Sequence, residues 1–311
     1  MRDVFAGRML ELARVDERIM FLTGDLGFGV FEDFAQACPQ QYLNVGVAEQ
    51  NMIAVATGLA LEGRVVFAYS IGNFPVLRCL EQIRNDAAYH EASVKVVSIG
   101  GGFSYGPLGM SHHATEDIAI LRSIPGIEGY TPGTRQDVTR SVDALVARPG
   151  TGYLRLDKSA GEETTAAEEF RHGHWRVMSD GADVALIACG GILAEAQLAA
   201  KELSALGLSA RVVNAVQFGS VSNEAILEAI GDVPLVVTIE EHVERGGLTG
   251  MVAEAVVRQG RPIRVVSRAI AGGFVSQVGS QHFLRERLGL DWQSIVRTVQ
   301  AATDDSALVQ Q

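Results

Sequence analysis

With 311 residues, the chain is long enough for one large domain or two ordinary ones. Hydrophobic residues make up 47% of it and charged residues 20%, which fits a globular protein with a substantial core and excludes a disordered chain. The net charge of −11 argues against a nucleic-acid partner, because proteins that bind a phosphate backbone need clustered lysine and arginine.

The cysteines and the hydropathy pattern indicate the compartment. Cys38, Cys79 and Cys189 are far apart and form neither a CxxC motif nor a zinc-ligand spacing, which is typical of a reducing cytoplasm. The N-terminal residues predict an amphipathic helix and contain no hydrophobic signal-peptide core. Charges interrupt the apolar stretches well before a membrane-spanning length, so we expect a cytoplasmic protein without membrane contact.

Short β-branched runs alternate with helical patterns along the first half of the chain. The predicted strands are Ile19–Thr23, Leu43–Gly46, Val65–Tyr69, Val94–Ile99 and Tyr153–Leu156. The predicted helices are Val4–Val15, Glu49–Glu62, Phe74–His90, Glu116–Ser123 and Arg135–Ala147. This alternation is typical of βαβ units and a mostly parallel sheet.

The periodicity breaks in the polar stretch GEETTAAEE (161–169), which indicates a linker. The strands predicted beyond it are Asp183–Ala188, Ala210–Val213, Leu235–Ile239 and Ile263–Val266. The helices predicted there are Leu193–Leu206, Glu224–Ile230, Thr249–Arg258, Gln277–Arg287 and Trp292–Ala302. We therefore predict an α/β fold of two doubly wound domains, residues 1–165 and 181–311, joined by a linker over 166–180.

An acidic residue, Glu49, stands at the start of an apolar helix in the run GVAEQ (46–50), directly after the strand-like segment Tyr42–Val45. Open α/β sheets collect ligands in the crevice where strands end and helices begin, so Glu49 is a candidate ligand-binding carboxylate. The helix dipole alone also favours a glutamate in the first turn. From these residues alone, both interpretations stay open.

A glycine-rich loop follows the strand Val94–Ile99 and runs from Gly100 to two adjacent histidines, His112 and His113. Glycines at a strand end permit a ligand to approach the backbone closely. The histidines place groups that titrate near neutral pH at the same crevice. The alternative is a flexible loop that ends in a helix cap, with Ser111 or Thr115 as the capping residue.

Three segments resemble the transketolase family of thiamine-diphosphate enzymes. The run GMSHHATED (109–117), followed by RSIPG (122–126), is similar to the family loop G-x-S/T-H-Q…E-D…R-x-I-P-G. GVAEQ resembles the glutamate signature of the pyrimidine-binding domain, and TIEEH (238–242) with Gly246 and Gly247 resembles the C-terminal domain. The resemblance covers roughly residues 3–300 and implies these two domains in this order.

The resemblance implies that thiamine diphosphate is the cofactor and assigns three residues to it. Glu49 would contact N1′ of the aminopyrimidine and favour its imino tautomer. Phe74 falls where the family places an aromatic ring against the aminopyrimidine, although a phenylalanine of the core is the alternative. Asp25, in TGDLG (23–27), matches an acidic position close to the cofactor, and turn formation explains it equally well.

The resemblance also assigns residues to the substrate. His112 would hydrogen-bond or protonate an oxygen of the substrate, and His113 beside it is a second candidate. Lys158 lies near the family's phosphate-contacting arginine, and a lysine is a point-charge phosphate ligand without the geometry of an arginine fork. A solvated surface lysine is the alternative.

The family binds the diphosphate and its metal ion through a separate domain with a GDG…N motif. Ser179-Asp180-Gly181 lacks an asparagine at the required distance and is interpreted as a turn. We therefore expect the C-terminal half of a split transketolase, with metal ligands supplied by another chain. An N-terminal-half subunit with the GDG…N motif would hold the diphosphate and Mg²⁺ or Ca²⁺ in an α2β2 assembly.

Two departures from the family pattern concern the substrate. Leu108 replaces an acidic residue that normally faces sugar hydroxyls, and Gly100–Gly102 stands where sugar-phosphate transketolases have a histidine. These two departures favour a hydrophobic or modified sugar as the substrate.

The preferred function is transfer of a two-carbon ketol unit between sugar or sugar-phosphate-like substrates. The alternatives are the β subunit of a 2-oxoacid dehydrogenase, a deoxyxylulose-phosphate synthase-like enzyme, whose chains are normally full length, and a non-catalytic partner subunit. The presence of both Glu49 and His112 argues against the last of these.

Overall fold

Helices and strands alternate along the whole chain, of which the computed structural model describes residues 1–164 and 167–309. The strands up to residue 156 are β1 (Ile19–Thr23), β2 (Tyr42–Asn44), β3 (Val65–Ile71), β4 (Val94–Ile99), β5 (Glu128–Tyr130) and β6 (Gly152–Leu156). The helices of this part are α1 (Arg2–Ala13), α2 (Glu32–Ala37), α3 (Glu49–Leu61), α4 (Leu80–Gln82), α5 (Asp117–Arg122) and α6 (Arg135–Ala147).

The remaining elements follow the same alternation. The strands are β7 (Arg176–Ser179), β8 (Val184–Ala188), β9 (Ala210–Asn214), β10 (Gln217–Phe218), β11 (Leu235–Val243) and β12 (Arg264–Ile270). The helices are α7 (Leu193–Ala205), α8 (Asn223–Ile230), α9 (Leu248–Gln259), α10 (Gln281–Leu288) and α11 (Trp292–Val309). Among the residues that the structure describes, every helix is too short or too polar to cross a lipid bilayer.

Within the described ranges, the strands form a seven-stranded sheet in the order β10-β5-β6-β4-β3-β1-β2 and a five-stranded sheet in the order β12-β11-β8-β9-β7. The neighbours are parallel except where β10 pairs with β5 and β7 pairs with β9. Parallel sheets are covered by helices on both faces, which explains why β1, β4 and β8 are buried throughout. The predicted two-domain α/β fold with mostly parallel sheets is confirmed.

The two sheets interlock through β10, which follows β9 of the smaller sheet but pairs with β5 of the larger one. Hydrophobic packing continues across this connection. A single buried cluster includes Val96 and Tyr153 from the larger sheet and Trp175, Phe218 and Val236 from the second half of the chain. The domains therefore share part of one core.

The segment predicted as a linker, 166–180, contains a strand. Residues 176–179 form β7, an edge strand antiparallel to β9, and Arg176 within it is buried against Asp137 of α6. The sequence signal was weak because an edge strand of four residues carries little periodicity. The predicted boundary between residues 165 and 166 lies outside the described residues, and the division at that point stays a prediction.

The helix predicted over Phe74–His90 is wrong in its first part. Residues 72–79 form successive turns, α4 begins only at Leu80, and a π-helix follows over Ile83–Ala88. The residue before a proline is sterically disfavoured in the α-helical region, so Phe74 cannot easily start a helix when Pro75 follows. Phe74 consequently lies on a turn at the end of β3.

Candidate active site

The predicted site residues all follow the carboxyl ends of neighbouring parallel strands. Asp25 comes after β1, Glu49 after β2, Phe74 after β3, His112 after β4 and Lys158 after β6. Parallel neighbours end at the same edge of a sheet, and open α/β sheets bind ligands in the crevice outside this edge. The topology therefore brings together residues that are far apart in the sequence.

Glu49 is the first residue of α3 and is only 3% exposed. Its Oε2 accepts a hydrogen bond of 2.8 Å from Nη1 of Arg78, whose side chain is 48% exposed. A buried carboxylate is costly unless it is paired with a cation, so Arg78 supplies the charge that Glu49 needs. Sequence reasoning missed Arg78, because only the turn after β3 brings it to α3.

Phe74 and His112 extend the surface that Glu49 and Arg78 form, and we call these four residues the wall of the crevice. The guanidinium carbon of Arg78 lies 4.9 Å from the centre of the partly exposed Phe74 ring. This ring also meets the His112 imidazole, at a centroid distance of 5.1 Å and an interplanar angle of 71°. The Ser111 hydroxyl lies 3.1 Å from Nδ1 of His112. Carboxylate, guanidinium, aromatic ring and imidazole thus form one continuous surface.

His113 is placed differently from its neighbour. It is 3% exposed, packs edge-on against Phe103 at 5.1 Å, and has Nε2 3.4 Å from the carbonyl oxygen of Gly106. Burial lowers the pKa of His113, so the neutral imidazole is favoured. His113 therefore supports the loop from beneath, whereas His112 is partly exposed at the crevice.

Lys158 is exposed and lies over the ring of Tyr105, with Nζ 3.8 Å from the ring centre. Burial and the charge of Arg2 lower the pKa of Lys158. Tyr105 also approaches His112, at a centroid distance of 6.4 Å. Sequence reasoning missed Tyr105, since it belongs to no motif.

Asp25 has a role in the local backbone. Its φ is +57°, a left-handed conformation that aspartate tolerates better than most residues. The Asn44 side chain donates to Oδ1 of Asp25 and accepts from the Asp25 amide, each at 3.0 Å, and it also accepts from the Gly46 amide. These bonds tie the loop after β1 to the segment that leads into Glu49.

The glycines after β4 make room for the protein's own side chains. A Cβ on Gly100 would collide with the Tyr105 ring, and one on Gly101 would lie 2.9 Å from the guanidinium carbon of Arg155. Gly102 has a φ of +57°, and a Cβ there would collide with the side chain of Glu241. The expectation that these glycines permit close approach of a ligand is therefore wrong for Gly100, Gly101 and Gly102, whose open space is filled by side chains of the protein itself.

Among residues 1–164 and 167–309, no group of three or more histidine, cysteine or carboxylate side chains is arranged to hold a metal ion. The wall of the crevice is nevertheless suited to a planar, nitrogen-containing ring. It offers an aromatic surface, Phe74, next to a buried carboxylate, Glu49.

Comparisons with known proteins agree with this fold and site. The chain matches the family described as "Transketolase, pyrimidine binding domain" over residues 1–163, and that described as "Transketolase, C-terminal domain" over residues 173–295. It is 34% identical over 300 residues to the B subunit of the apulose-4-phosphate transketolase of Phocaeicola vulgatus, covering 96% of this chain and 95% of the relative.

A second relative is the 6-deoxy-6-sulfo-D-fructose transketolase subunit SqwH of a Clostridium species. It is 33% identical over 306 residues, and the aligned region covers 98% of this chain and 94% of the relative. Among solved structures, a split-gene transketolase described as an inactive beta4 tetramer superposes with a TM-score of 0.87 at 33% identity, covering 97% of both chains.

The fold and the matched families define a two-domain protein of the thiamine-diphosphate-dependent transferase class. The chain belongs to the transketolase family, and its similarity to these separate transketolase subunits extends over nearly the whole length of each protein.

Replacing Gly102 by alanine should lower the free energy of unfolding by about 2–4 kcal/mol. The positive φ costs roughly 1–2 kcal/mol for a residue with a Cβ, and displacing the Glu241 carboxylate costs about as much again. Gly7→Ala, within α1 and facing open space, is the matched control and should leave stability equal or higher. Urea denaturation measures both, and equal midpoints for the two variants would contradict this packing account.

Proposed function

We propose that this chain is the C-terminal-half subunit of a split transketolase, which transfers a two-carbon ketol unit between sugar-phosphate-like substrates when joined to its partner. The observation that carries the proposal is the continuous wall of Glu49, Arg78, Phe74 and His112 at the strand ends. The similarity to transketolase subunits of the same length supports it.

Glu49 and Phe74 fit the aminopyrimidine half of thiamine diphosphate. Within the described part of the chain, Arg78 engages Oε2 of Glu49, while Oε1 has no hydrogen-bond partner and is free to bind N1′. The partly exposed ring of Phe74 offers an aromatic surface against which the aminopyrimidine could pack. Thiamine diphosphate, when bound, supplies the carbon nucleophile and the electron sink for ketol transfer. Asp25 would hold the loop beside Glu49 in position through Asn44.

His112 is proposed as the group that donates or accepts a proton at the substrate oxygens. It is partly exposed, belongs to the same wall as Phe74, and is oriented by the neighbouring Ser111 hydroxyl. A general acid or base must lie within hydrogen-bonding reach of the reacting atoms, and a position on the crevice wall suits that requirement. The expected substrate contact of His113 is not part of this proposal, because the His113 side chain is buried under the loop.

Lys158 is proposed to bind an anionic group on the substrate. The names of the two relatives specify a sugar phosphate and a sulfonated sugar, both of which carry an oxyanion. Leu108, which is 55% exposed on the same loop as His112, offers an apolar contact in place of the family's acidic side chain. A sugar with fewer hydroxyls at this position would suit such a surface.

The partner is proposed to be an N-terminal-half subunit that holds the diphosphate and Mg²⁺ or Ca²⁺ through a GDG…N motif, in an α2β2 assembly. The solved relative described as a beta4 tetramer is an inactive protein, which supports a requirement for a second kind of subunit. A 2-oxoacid dehydrogenase β subunit shares the fold, but the transketolase-type loop with Ser111 and His112 favours ketol transfer. The intact wall beside Glu49 argues against a non-catalytic partner.

Purified alone, the chain should bind thiamine diphosphate weakly or not at all, because the residues proposed for it contact only the aminopyrimidine. Isothermal titration calorimetry with Mg²⁺ present, with and without the co-purified partner, measures this difference. Tight binding by the isolated chain would show that the diphosphate site lies within this subunit.

Glu49→Ala in the complex with the partner should lower kcat by about 10²- to 10⁴-fold, the usual contribution of a positioned acid or base. Glu62→Ala at the other end of α3 is the matched control and should keep normal activity. Size-exclusion chromatography should show both variants assembled. A Glu49 variant that assembles and retains most of its activity would refute the proposed role.

Lys158→Gln should raise KM for a phosphorylated or sulfonated substrate about tenfold, since a charge-assisted hydrogen bond contributes about 1.5–3 kcal/mol. Lys201→Gln, an exposed substitution on α7 in the other domain, is the control. The KM for a neutral sugar should not change in either variant. An unchanged KM for the anionic substrate in Lys158→Gln would remove Lys158 from the substrate site.

A further inference from the structure

The catalytic histidine belongs to a loop whose two ends are joined. Gly102 and Ala114 pair in antiparallel fashion, with the Gly102 amide donating to the Ala114 carbonyl at 2.9 Å and the Ala114 amide returning the bond at 3.0 Å. We call residues 103–113 the histidine loop and the pair Gly102–Ala114 its neck. Because His112 lies within this loop, the position of the neck sets the position of the imidazole.

The second domain contacts the neck through one buried carboxylate. Glu241, near the end of β11, is 1% exposed, and its Oε2 accepts a 2.8 Å hydrogen bond from the amide of Phe103. The same carboxylate accepts from Nε2 of Gln281 at 2.9 and 3.1 Å and from Nε of Arg285. Glu241 therefore connects the first amide of the histidine loop to two side chains of α10.

The other side of the neck is bound by Arg155 of β6 and by the end of β11. Nη2 of Arg155 donates to the carbonyl oxygens of both Ala114, at 2.9 Å, and Glu241, at 3.1 Å. Two residues after Glu241 in β11, the Val243 amide donates to the Thr115 carbonyl at 2.8 Å. The segment 241–243 of the second domain thus bonds to Phe103 at the start of the histidine loop and to Thr115 just beyond its neck.

The same cluster reaches the strand end that carries Lys158. Gln281 donates to Oδ1 of the buried Asp157 at 3.0 Å, and the hydroxyl of Ser104 donates to the same oxygen at 2.6 Å. Lys158 follows directly, and its amide donates to Oγ of Ser104 at 3.3 Å. The histidine loop and the segment 157–158 are therefore held to one another and to α10.

We propose that Glu241 is a positioning residue through which the C-terminal domain holds the histidine loop, so that His112 and Lys158 keep their places in the crevice. Its catalytic consequence rests on the proposed transketolase function; its structural consequence does not. The carboxylate contacts no part of the Glu49–Phe74 wall among the described residues, so it should affect substrate turnover and leave cofactor binding unchanged.

The first test is hydrogen–deuterium exchange on the full-length chain, which does not require the partner. Glu241→Gln keeps the shape of the side chain but removes the charge and one of the two acceptor oxygens. Gln281→Ala removes the side-chain amide that donates to Glu241 and Asp157 and changes no charge. It is the variant to measure if Glu241→Gln does not fold. In either variant, exchange in residues 103–113 should be about tenfold faster.

Glu254→Gln is the matched control. Glu254 forms an exposed ion pair of 2.7 Å with Arg122, which also joins the two domains but lies away from the neck. Its substitution should leave exchange in the histidine loop unchanged. If the loop is equally protected in the Gln281 and Glu254 variants, or if all peptides of the chain exchange faster together, the positioning role is overturned.

The second test uses the complex with the partner. In Gln281→Ala, kcat/KM for the ketol donor should fall about tenfold, because small misplacements of catalytic groups reduce rates strongly. The thiamine diphosphate concentration for half-maximal activity should stay within about twofold. A parallel loss of substrate turnover and cofactor affinity would overturn the proposal. Full activity of Glu49→Ala would instead overturn the proposed function, while the exchange result would stand.

Discussion

The common direction of the parallel strands is the constraint on which the site depends. β1, β2, β3, β4 and β6 all end at one edge of the larger sheet, and the connection after each of them carries a residue of the crevice. Parallel strands require crossover connections, so successive carboxyl ends always emerge on the same side. This arrangement brings together a carboxylate, an aromatic ring, an imidazole and an ammonium group from segments that are far apart in the sequence.

Because polar side chains gather at this edge of the sheet, several carboxylates are buried there, and arginines neutralise their charge. Removing a carboxylate from water costs several kcal/mol unless a cation or several hydrogen-bond donors face it. Three buried carboxylates around the crevice have such a partner: Glu49 with Arg78, Asp117 with Arg155, and Glu241 with Arg285. Two of these pairs lie where the domains meet, so the interface is held by charge-assisted bonds as well as by the shared hydrophobic cluster. The C-terminal domain is in this sense part of the structure that supports the candidate active site.

The sequence predicted the sheet organisation because alternating apolar strands and amphipathic helices leave a strong periodic signal. It also identified Glu49, Phe74 and His112 as candidates, since they carry recognisable motifs. It failed where long-range contacts decide: the helix expected at Phe74 is interrupted by Pro75, and the glycines after β4 accommodate Arg155 and Glu241 instead of a ligand. Arg78 and Tyr105 were not foreseen, because an ion pair or a ring contact between distant segments has no local pattern.

The pairing of Glu49 with Arg78 also explains how this subunit can exist before it meets a cofactor. A carboxylate that is 3% exposed would destabilise the folded chain if its counter-charge came only from a bound ligand. Arg78 supplies that charge from within the chain, yet its side chain is half exposed on the open side of the crevice and occupies only one carboxylate oxygen. Among residues 1–164 and 167–309, the second oxygen of this compensated carboxylate has no hydrogen-bond partner. A folded but inactive assembly, as described for the solved beta4 relative, is what such an arrangement permits.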